Sequence, residues 1–451
     1  MEDVFGTLFG IEGCELLNCN EKEENGKKYF ELNVRYIGSE EEICSQCGEK
    51  TYKHGSRTIN VVDTPFGGKP ARMVIQIPRR RCKHCKSIWQ PTIKGIDEDH
   101  KMTDRAFATI TQKSLEQPFD RLTTDYMLTG NTIKNIFIEF LEANKAKLRF
   151  KTPAFLGIDE IKIKHIGEVT VITDLEHRTL FDMLLGRNQQ TLTEYFMNMP
   201  NRDKVLWVCS DMYRPFEKSI ATALPNARWT IDHFHIVMKA NEAVDAVRRN
   251  VRDDMTRRER INTKRGLAYT LKKRLRDLDT EEAQKIKLLR KHPKYEVLAT
   301  AFDLKEDFFE IFDRGKYSKD AAEEAFETWA KSIPDDERID KFRELVNTVK
   351  HFKVQIFQNW DCPISISNGY TECSNRLIRE ENMKGRGYSF AVLRGRSLYR
   401  KTNLDNIAKA GDLLGPSFET EEPLIVEGNT EEPTYDEFED GEDYEPFPPE
   451  D

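Results

Sequence analysis

Three features of the sequence predict a multidomain protein of mixed α+β and α/β class. Two Cys-x-x-Cys pairs bracket strand-like segments near the N-terminus, three consecutive strand-like segments (155–164, 168–174 and 179–185) followed by alternating helix and strand up to Ile231 fill 153–236, and a charged stretch from 237 to 352 has helical spacing. At 451 residues the chain exceeds one ordinary core, so several domains are expected. The expected divisions are an N-terminal β-hairpin segment over 1–40, a Cys-pair ribbon over 41–98 and a helical unit over 99–152. A mixed-sheet core follows over 153–236, is interrupted by a helical insertion over 237–352, and resumes over 353–412. Residues 413–451 read as a disordered acidic tail.

Composition sets further bounds. Hydrophobic residues make up 38% and charged residues 33%, as in a soluble globular chain. No run approaches the roughly 18 apolar residues of a membrane span, so no membrane partner is expected. The start, Met1-Glu-Asp-Val-Phe-Gly-Thr7, lacks the basic head and apolar body of a secretion signal, and a cytoplasmic location is expected. The net charge of −8 conceals an asymmetry. Residues 417–451 hold fifteen of the 78 acids and no Lys or Arg, so the remainder carries a balance of +7. Such a body is compatible with a polyanionic partner.

Within 1–40, Phe30, Leu32, Val34 and Tyr36 alternate with polar residues, the period of a half-buried strand. Next come Cys44-Ser-Gln-Cys47 and Cys82-Lys-His-Cys85, separated by 34 residues. Each knuckle brings two thiolates together, and two knuckles supply the four soft ligands of one tetrahedral structural Zn²⁺. His54 or His84 could replace a thiolate, and four free cysteines are the plain alternative. Strand-like Ile59–Val62 and Met73–Ile77, joined by Pro65-Phe-Gly-Gly-Lys-Pro70, complete a zinc ribbon with a long hairpin. Arg79, Arg80 and Arg81 lead into the second knuckle, either as phosphate contacts or as a solvated strand end.

Residues 104–149 turn helical. Phe119–Met127, a turn containing Gly130, and an amphipathic Thr132–Leu141 match a helix-turn-helix, with Asn131, Thr132, Lys134 and Asn135 near the start of the second helix, where DNA would be read. An ordinary helical hairpin between domains has the same pattern, and the neighbouring ribbon favours DNA.

The chemistry-bearing residues are acids in apolar surroundings. Asp159 lies among Phe155, Leu156, Ile158, Ile161 and Ile163 in a strand, and a lone acid there is costly without a partner such as a metal. Val205–Ser210 is a second apolar strand, ending at Asp211. Asn368-Gly-Tyr-Thr-Glu372 opens a helix carrying Glu372. If these three carboxylates meet, they suit a pair of Mg²⁺ ions about 4 Å apart, the arrangement that activates one oxygen and stabilises another in phosphodiester chemistry. Glu160 is expected on the opposite face from Asp159, and Asp232-His-Phe-His235 is read as lining the same cleft. Arg376 and Arg379 follow Glu372 on one helix side, and Lys384 and Arg386 sit in a basic, glycine-rich loop able to approach a nucleic-acid backbone.

Taken together, the two knuckles, Gly157-Ile-Asp-Glu160, Ser210-Asp-Met212, Asp232-His-Phe-His235, Ser367–Glu372 and Gly385-Arg-Gly-Tyr388 resemble a bacterial DDE-type insertion-sequence transposase of the ISL3 group, over roughly residues 40–410. The resemblance implies a ribonuclease-H-like core interrupted by the helical insertion, with Asp159, Asp211 and Glu372 as catalytic, magnesium-holding triad and Arg379 facing DNA. It implies binding to terminal inverted repeats, Mg²⁺-dependent strand cleavage and strand transfer into target DNA, and nucleoid association when DNA is bound. A homodimer is expected from the need to join two element ends. The acidic tail is outside the family pattern. A DNA-binding regulator that has lost transposition, or a metal-dependent nuclease without strand transfer, are the alternatives on the same scaffold.

Overall fold

The computed structural model describes residues 4–38, 43–145, 149–251, 256–257, 266–313, 317–411 and 413–414. The expected acidic tail beyond Leu414 lies outside the described residues.

The N-terminal sheet grows from two tight hairpins. Strands β1 (Cys14–Glu24) and β2 (Lys27–Tyr36) are joined by Asn25 and Gly26, both at positive φ, and Glu24 faces Lys27. Two positive-φ residues match the strand twist across a two-residue turn, which Asn-Gly adopts at low cost. Strands β3 (Thr51–Phe66) and β4 (Lys69–Cys82) repeat the device with Gly67 and Gly68. Strand β2 runs parallel to β4, from Phe30 opposite Ala71 to Arg35 opposite Gln76. The N-terminal hairpin and the ribbon strands are therefore one sheet, not two units meeting at residue 40. Its buried face holds Leu32, Val34, Val61, Met73, Ile75 and Ile77. Short strands β5 (Ile88–Trp89), β6 (Ile96–Asp97) and β7 (Met102–Thr103) complete it.

Three helices follow the six-residue α1 (Val4–Phe9) and this sheet. Helix α2 (Asp104–Ser114) is capped by Thr103, whose hydroxyl accepts from the Ala106 amide. Helix α3 (Phe119–Tyr126) stops at Met127, in the left-handed region. Helix α4 spans Gly130–Lys145 and starts two residues before Thr132, because Thr129 Oγ1 accepts from the Thr132 amide at 3.1 Å. Ala106, Ile110, Leu122, Tyr126, Ile133 and Ile136 form the core of the trio.

After the two-residue β8 (Arg149–Phe150) comes the central sheet, in the order β11-β10-β9-β12-β13. Strands β9 (Phe155–Ile163), β10 (Gly167–Asp174) and β11 (Thr179–Leu185) are antiparallel, whereas β12 (Trp207–Ser210) and β13 (Arg228–Ile231) run parallel to β9. Helices α5 (Gln189–Met197), α6 (Arg214–Ala223) and α7 (His233–Val251) connect or follow these strands. The region expected as an insertion forms helices over Thr280–Lys291, Glu296–Ile311, Lys319–Ser332 and Asp340–His351. Phe302, Phe308, Phe326, Trp329 and Phe342 of these helices belong to the same apolar cluster as Leu156, Ile158 and Val208 of the sheet. On the sheet's other side, Ile161, Val171 and Met183 pack against Ile378, Val392 and Leu393 from the late helices Gly369–Lys384 and Phe390–Leu398, and against Phe137 and Leu141 of α4.

Candidate active site and zinc centre

The Cys44, Cys47, Cys82 and Cys85 sulfurs all lie within 4.8 Å of one another. Three of the separations are 3.6 Å (Cys44–Cys85), 3.4 Å (Cys47–Cys82) and 3.6 Å (Cys47–Cys85). A tetrahedron of thiolates about 2.3 Å from one ion has edges of roughly 3.8 Å, so the four residues fit a structural Zn²⁺. A hydrogen bond from Ser87, with the amides of Gln46 and Cys47, pulls the Cys44 thiol down, whereas its neighbouring thiols push Cys47 up, as expected of four sulfurs that share protons at one centre. Of the arginines beside the knuckle, Arg80 is buried inside the ribbon, its Nε donating to Thr51 Oγ1 at 2.7 Å and Nη2 to the Thr51 carbonyl at 3.1 Å. Its guanidinium is committed to the ribbon, unlike a phosphate-contacting group. Arg79 and Arg81 are half-buried.

At the second site, sheet register does the positioning. Cys209 on β12 lies opposite Gly157 on β9, so Asp211 is level with Asp159. Ser210 lies opposite Ile231 on β13, so Asp211 is also level with Asp232. Three aspartates thus form a row across adjacent parallel strands spaced about 4.8 Å apart. Glu372, on the Gly369–Lys384 helix, comes close enough to Asp232 and Asp159 for both to act on its carboxyl. Asn368, fully buried, donates from Nδ2 to the Ile158 carbonyl at 2.8 Å and pins the helix start to β9. Thr371 Oγ1 meets Thr173 Oγ1 of β10 at 2.7 Å, over Gly157. A Cβ at Gly157 would lie 2.6 Å from Thr173 Oγ1 and closer still to Thr371 Oγ1, so only glycine permits this approach.

Asp159 accepts from the Glu160 amide at 2.8 Å and, on its other oxygen, from Asn375 Nδ2 at 2.6 Å. Asp211 accepts from the Tyr213 amide at 3.1 Å. No hydrogen bond to the Glu372 carboxylate occurs among the described residues. Burial pushes all three carboxyls up, and in each case the neighbouring His235 counteracts the rise. Asp159 also raises Asp211 and Glu372, so the acids feel one another. Buried carboxylates held near one another, with free lone pairs, are a donor set that fits hard divalent cations such as Mg²⁺. Glu160 faces away, paired with Arg187 at 2.8 Å.

Sequence reasoning missed the parts played by three residues. Asn375, one turn beyond Glu372, looks like any polar helix residue; only its spacing hints at a shared face. Asp232 and His235 were read only as lining, yet their donor atoms and that of Glu372 lie within 4.8 Å of one another. Asp211, Tyr213, Phe234, His235 and Met238 border an open cleft of about 480 Å³.

The residues singled out for DNA contact fall in two places. Asn131 and Lys134 of α4 line a second cleft of about 260 Å³ together with Lys384, Arg386 and Tyr388. Asn135, Arg376 and Arg379 are exposed, and Thr132 is half-buried.

Residues 156–397, slightly over half the chain, match the profile of ISL3-type DDE transposases, whose description reads "Transposase". The chain belongs to the ISL3 family of DDE transposases. Residues 40–85 of this ISL3-family chain match the zinc-finger of the transposases IS204, IS1001, IS1096 and IS1165. Two proteins named as the transposase for insertion sequence element IS1557, from Mycobacterium tuberculosis strains CDC 1551 / Oshkosh and ATCC 25618 / H37Rv, are each 27% identical over 258 residues. Each match covers 51% of this chain and 56% of the relative, so the chain spans about half the length of the curated relatives it matches. Among the described residues, no helix is long and apolar enough to cross a membrane.

Proposed function

We propose that this ISL3-family protein is an active transposase that binds the terminal inverted repeats of its element, cleaves DNA strands in the presence of Mg²⁺ and joins them to target DNA. One observation supports the reading: Asp159 in mid-strand lies level with Asp211 at the end of the neighbouring strand, and Asp159 and Asp232 both act electrostatically on Glu372 of the docked helix. Such a cluster is destabilised unless cations neutralise it, which is the condition that a metal-dependent phosphoryl-transfer site meets. The sheet order, three antiparallel strands followed by two parallel ones, supports a ribonuclease-H-like core.

Two Mg²⁺ ions, when bound, supply stabilisation of the attacking and leaving oxygens. The chain's own residues perform the remaining work. Asn375 fixes one oxygen of Asp159 and leaves that carboxylate a single orientation. Asn368 and Thr371 hold Glu372 at the sheet. Exposed Arg376 and Arg379, on the helix turns after Glu372, meet the phosphate backbone. The trio α2–α4 acts as a helix-turn-helix that works with the zinc ribbon on the element ends, Asn131, Thr132, Lys134 and Asn135 reading the groove and Arg79 and Arg81 the backbone. Joining two ends calls for a homodimer, and the DNA-bound protein resides on the nucleoid.

Strand cleavage of an end-containing duplex with Mg²⁺ tests the reading. Wild-type protein should cut next to the repeat, and Asp159→Ala, Asp211→Ala and Glu372→Ala should each lower the rate by about a thousandfold or more. Cutting by all three variants at the wild-type rate would remove these acids from the mechanism.

A further inference from the structure

We infer that Asp232, His235 and Glu372 form a mixed nitrogen–oxygen site for a divalent transition ion of the Mn²⁺ type, beside Asp159 and Asp211. The inference shares only Glu372 with the proposed magnesium triad, and Asp232 and His235 play no part in that proposal.

The sequence itself builds the site. β13 ends at Ile231, Asp232 follows, and α7 begins at His233, so Asp232 and His235 are separated by one helical turn. The Asp232 amide donates to the Ser210 carbonyl at 2.9 Å, which continues the β12–β13 ladder and sets Asp232 level with Asp211. The His235 amide donates to the Asp232 carbonyl at 3.1 Å, closing the turn and bringing both side chains to one side. Glu372 approaches from the opposite helix, and one donor atom from each residue falls within 4.8 Å of the other two.

Burial then argues that the cluster receives a ligand. Asp232 is 1% exposed. The His235 Nε2 atom is buried and has no hydrogen-bond partner among the described residues. A buried ring nitrogen left without a partner is destabilising and is rare unless something occupies its lone pair. Phe234 is 48% exposed, whereas His235 beside it is half-buried with its Nε2 shielded from solvent. That cleft, bordered by Asp211, Tyr213 and Met238, gives an ion a path from solvent.

The donor set decides the class of ion. Mg²⁺ takes oxygen ligands and keeps its waters, whereas imidazole is a favourable ligand for later first-row ions. One imidazole with two carboxylates therefore favours Mn²⁺ and its heavier neighbours over Mg²⁺ here, while Asp159 and Asp211 remain an all-oxygen pair.

The test uses the full-length, zinc-loaded protein with Mn²⁺ as the probe. Loss of the free-ion signal in electron paramagnetic resonance gives affinity, and pulsed measurement reports nitrogen coupled to bound Mn²⁺. Wild-type protein should show imidazole nitrogen coupling and resist displacement by equimolar Mg²⁺. His235→Ala should abolish the coupling and weaken Mn²⁺ binding by about tenfold or more. Asp159→Asn should retain the coupling. Bound Mn²⁺ without nitrogen coupling in the wild type overturns the inference, with no need for a variant to fold. So does His235→Ala protein that binds Mn²⁺ as tightly as wild type. If the triad variants cut DNA normally while the nitrogen coupling persists, the proposed active site falls and this metal site stands.

Discussion

Asn375 Nδ2 donates to Asp159 Oδ2 at 2.6 Å, tying the helix that carries Glu372 to the strand that carries the first acid of the site. The bond spans 216 residues of sequence and closes within a single helical turn of Glu372. It acts on the mid-strand carboxylate whose other oxygen is held by the Glu160 amide.

Asn375→Ala should therefore slow strand cleavage without unfolding the protein. A hydrogen bond to a charged group is worth about 1.5–3 kcal/mol, which corresponds to a rate loss of roughly 10- to 100-fold if it is expressed fully in the transition state. Single-turnover cleavage at saturating Mg²⁺ measures it. Asn375→Asp should be worse, because it adds a charge to an already acidic cluster.

Gly157→Ala tests the close docking of the same helix. The added methyl would press on Thr173 and Thr371, whose hydroxyls pair across the strand–helix contact. The expected cost is about 1–3 kcal/mol of stability, read by urea unfolding, with a larger loss of cleavage because Glu372 moves with the helix.

Arg396 is the next target. It is fully buried, donates from Nε to Glu381 at 2.6 Å, and reaches the Gln117 carbonyl at 3.0 Å and the Ser114 carbonyl, so it links the end of the Gly369–Lys384 helix to the loop between α2 and α3. Its guanidinium also lies 4.8 Å from the Tyr388 ring centre. Arg396→Met leaves Glu381 only Lys384, at 3.5 Å, and should cost about 3 kcal/mol, whereas the double change with Glu381→Gln should recover part of it. Thermal or urea unfolding of the single and double variants gives the comparison.

A pH effect is expected at His100. Its ring lies 2.6 Å from Asp97 and 2.8 Å from Glu139 of α4. Burial works against the imidazolium, and the two carboxylates outweigh it, so the pKa is raised. A raised histidine stabilises the fold fully below its unfolded pKa, about 6.5, and loses that contribution as pH rises through the folded value. The stability gap between wild type and His100→Gln should therefore be largest near pH 6 and shrink towards pH 8, with an amplitude below about 1 kcal/mol because the pair is part-exposed. A gap that widens with pH would refute the assignment.

Removing zinc should loosen one end of the first sheet. Cys82→Ser should reduce bound zinc from one ion per chain to none, as read by metal analysis. Chelation should speed amide exchange across residues 44–54 and 80–88, where the knuckles sit. Residues 30–36 should stay protected, since the apolar face of Leu32, Val34, Met73 and Ile75 holds that part without metal.

Local chemistry was legible in the sequence where a residue contradicts its surroundings. Asp159 stands out in an apolar strand, and paired cysteines at knuckle spacing announce themselves. The strand series from Phe155 to Ile231 was also readable, because period, turn residues and apolar runs agree there. Long-range pairing was not. Nothing in residues 27–36 signals that β2 would lie parallel to β4, which joins the first hairpin to the ribbon. The level alignment of Asp159, Asp211 and Asp232 depends on register across three strands, a property that no single segment carries. Arg80 looked like its neighbours, and only folding turns it inward. Helix α4 starts two residues ahead of the amphipathic run because Thr129, a weak cap by rank, accepts from the Thr132 amide.

The aspartate row has a consequence for how such a chain can vary. Asp159, Asp211 and Asp232 take their spacing from hydrogen-bonded neighbours, and Glu372 is seated by Asn368 and Thr371 on strands it touches directly. The spacing between the three aspartates is set by the ladders of β9, β12 and β13 rather than by the helices between Thr280 and His351. That stretch can lengthen, shorten or exchange its outer surface while the four carboxylates stay in place, provided that its ends still reach α7 and Asn368. By contrast, a single-residue insertion inside β12 would turn Asp211 to the other face and empty its place in the row. Length changes should therefore be tolerated between the acids and lethal within the strands that bear them.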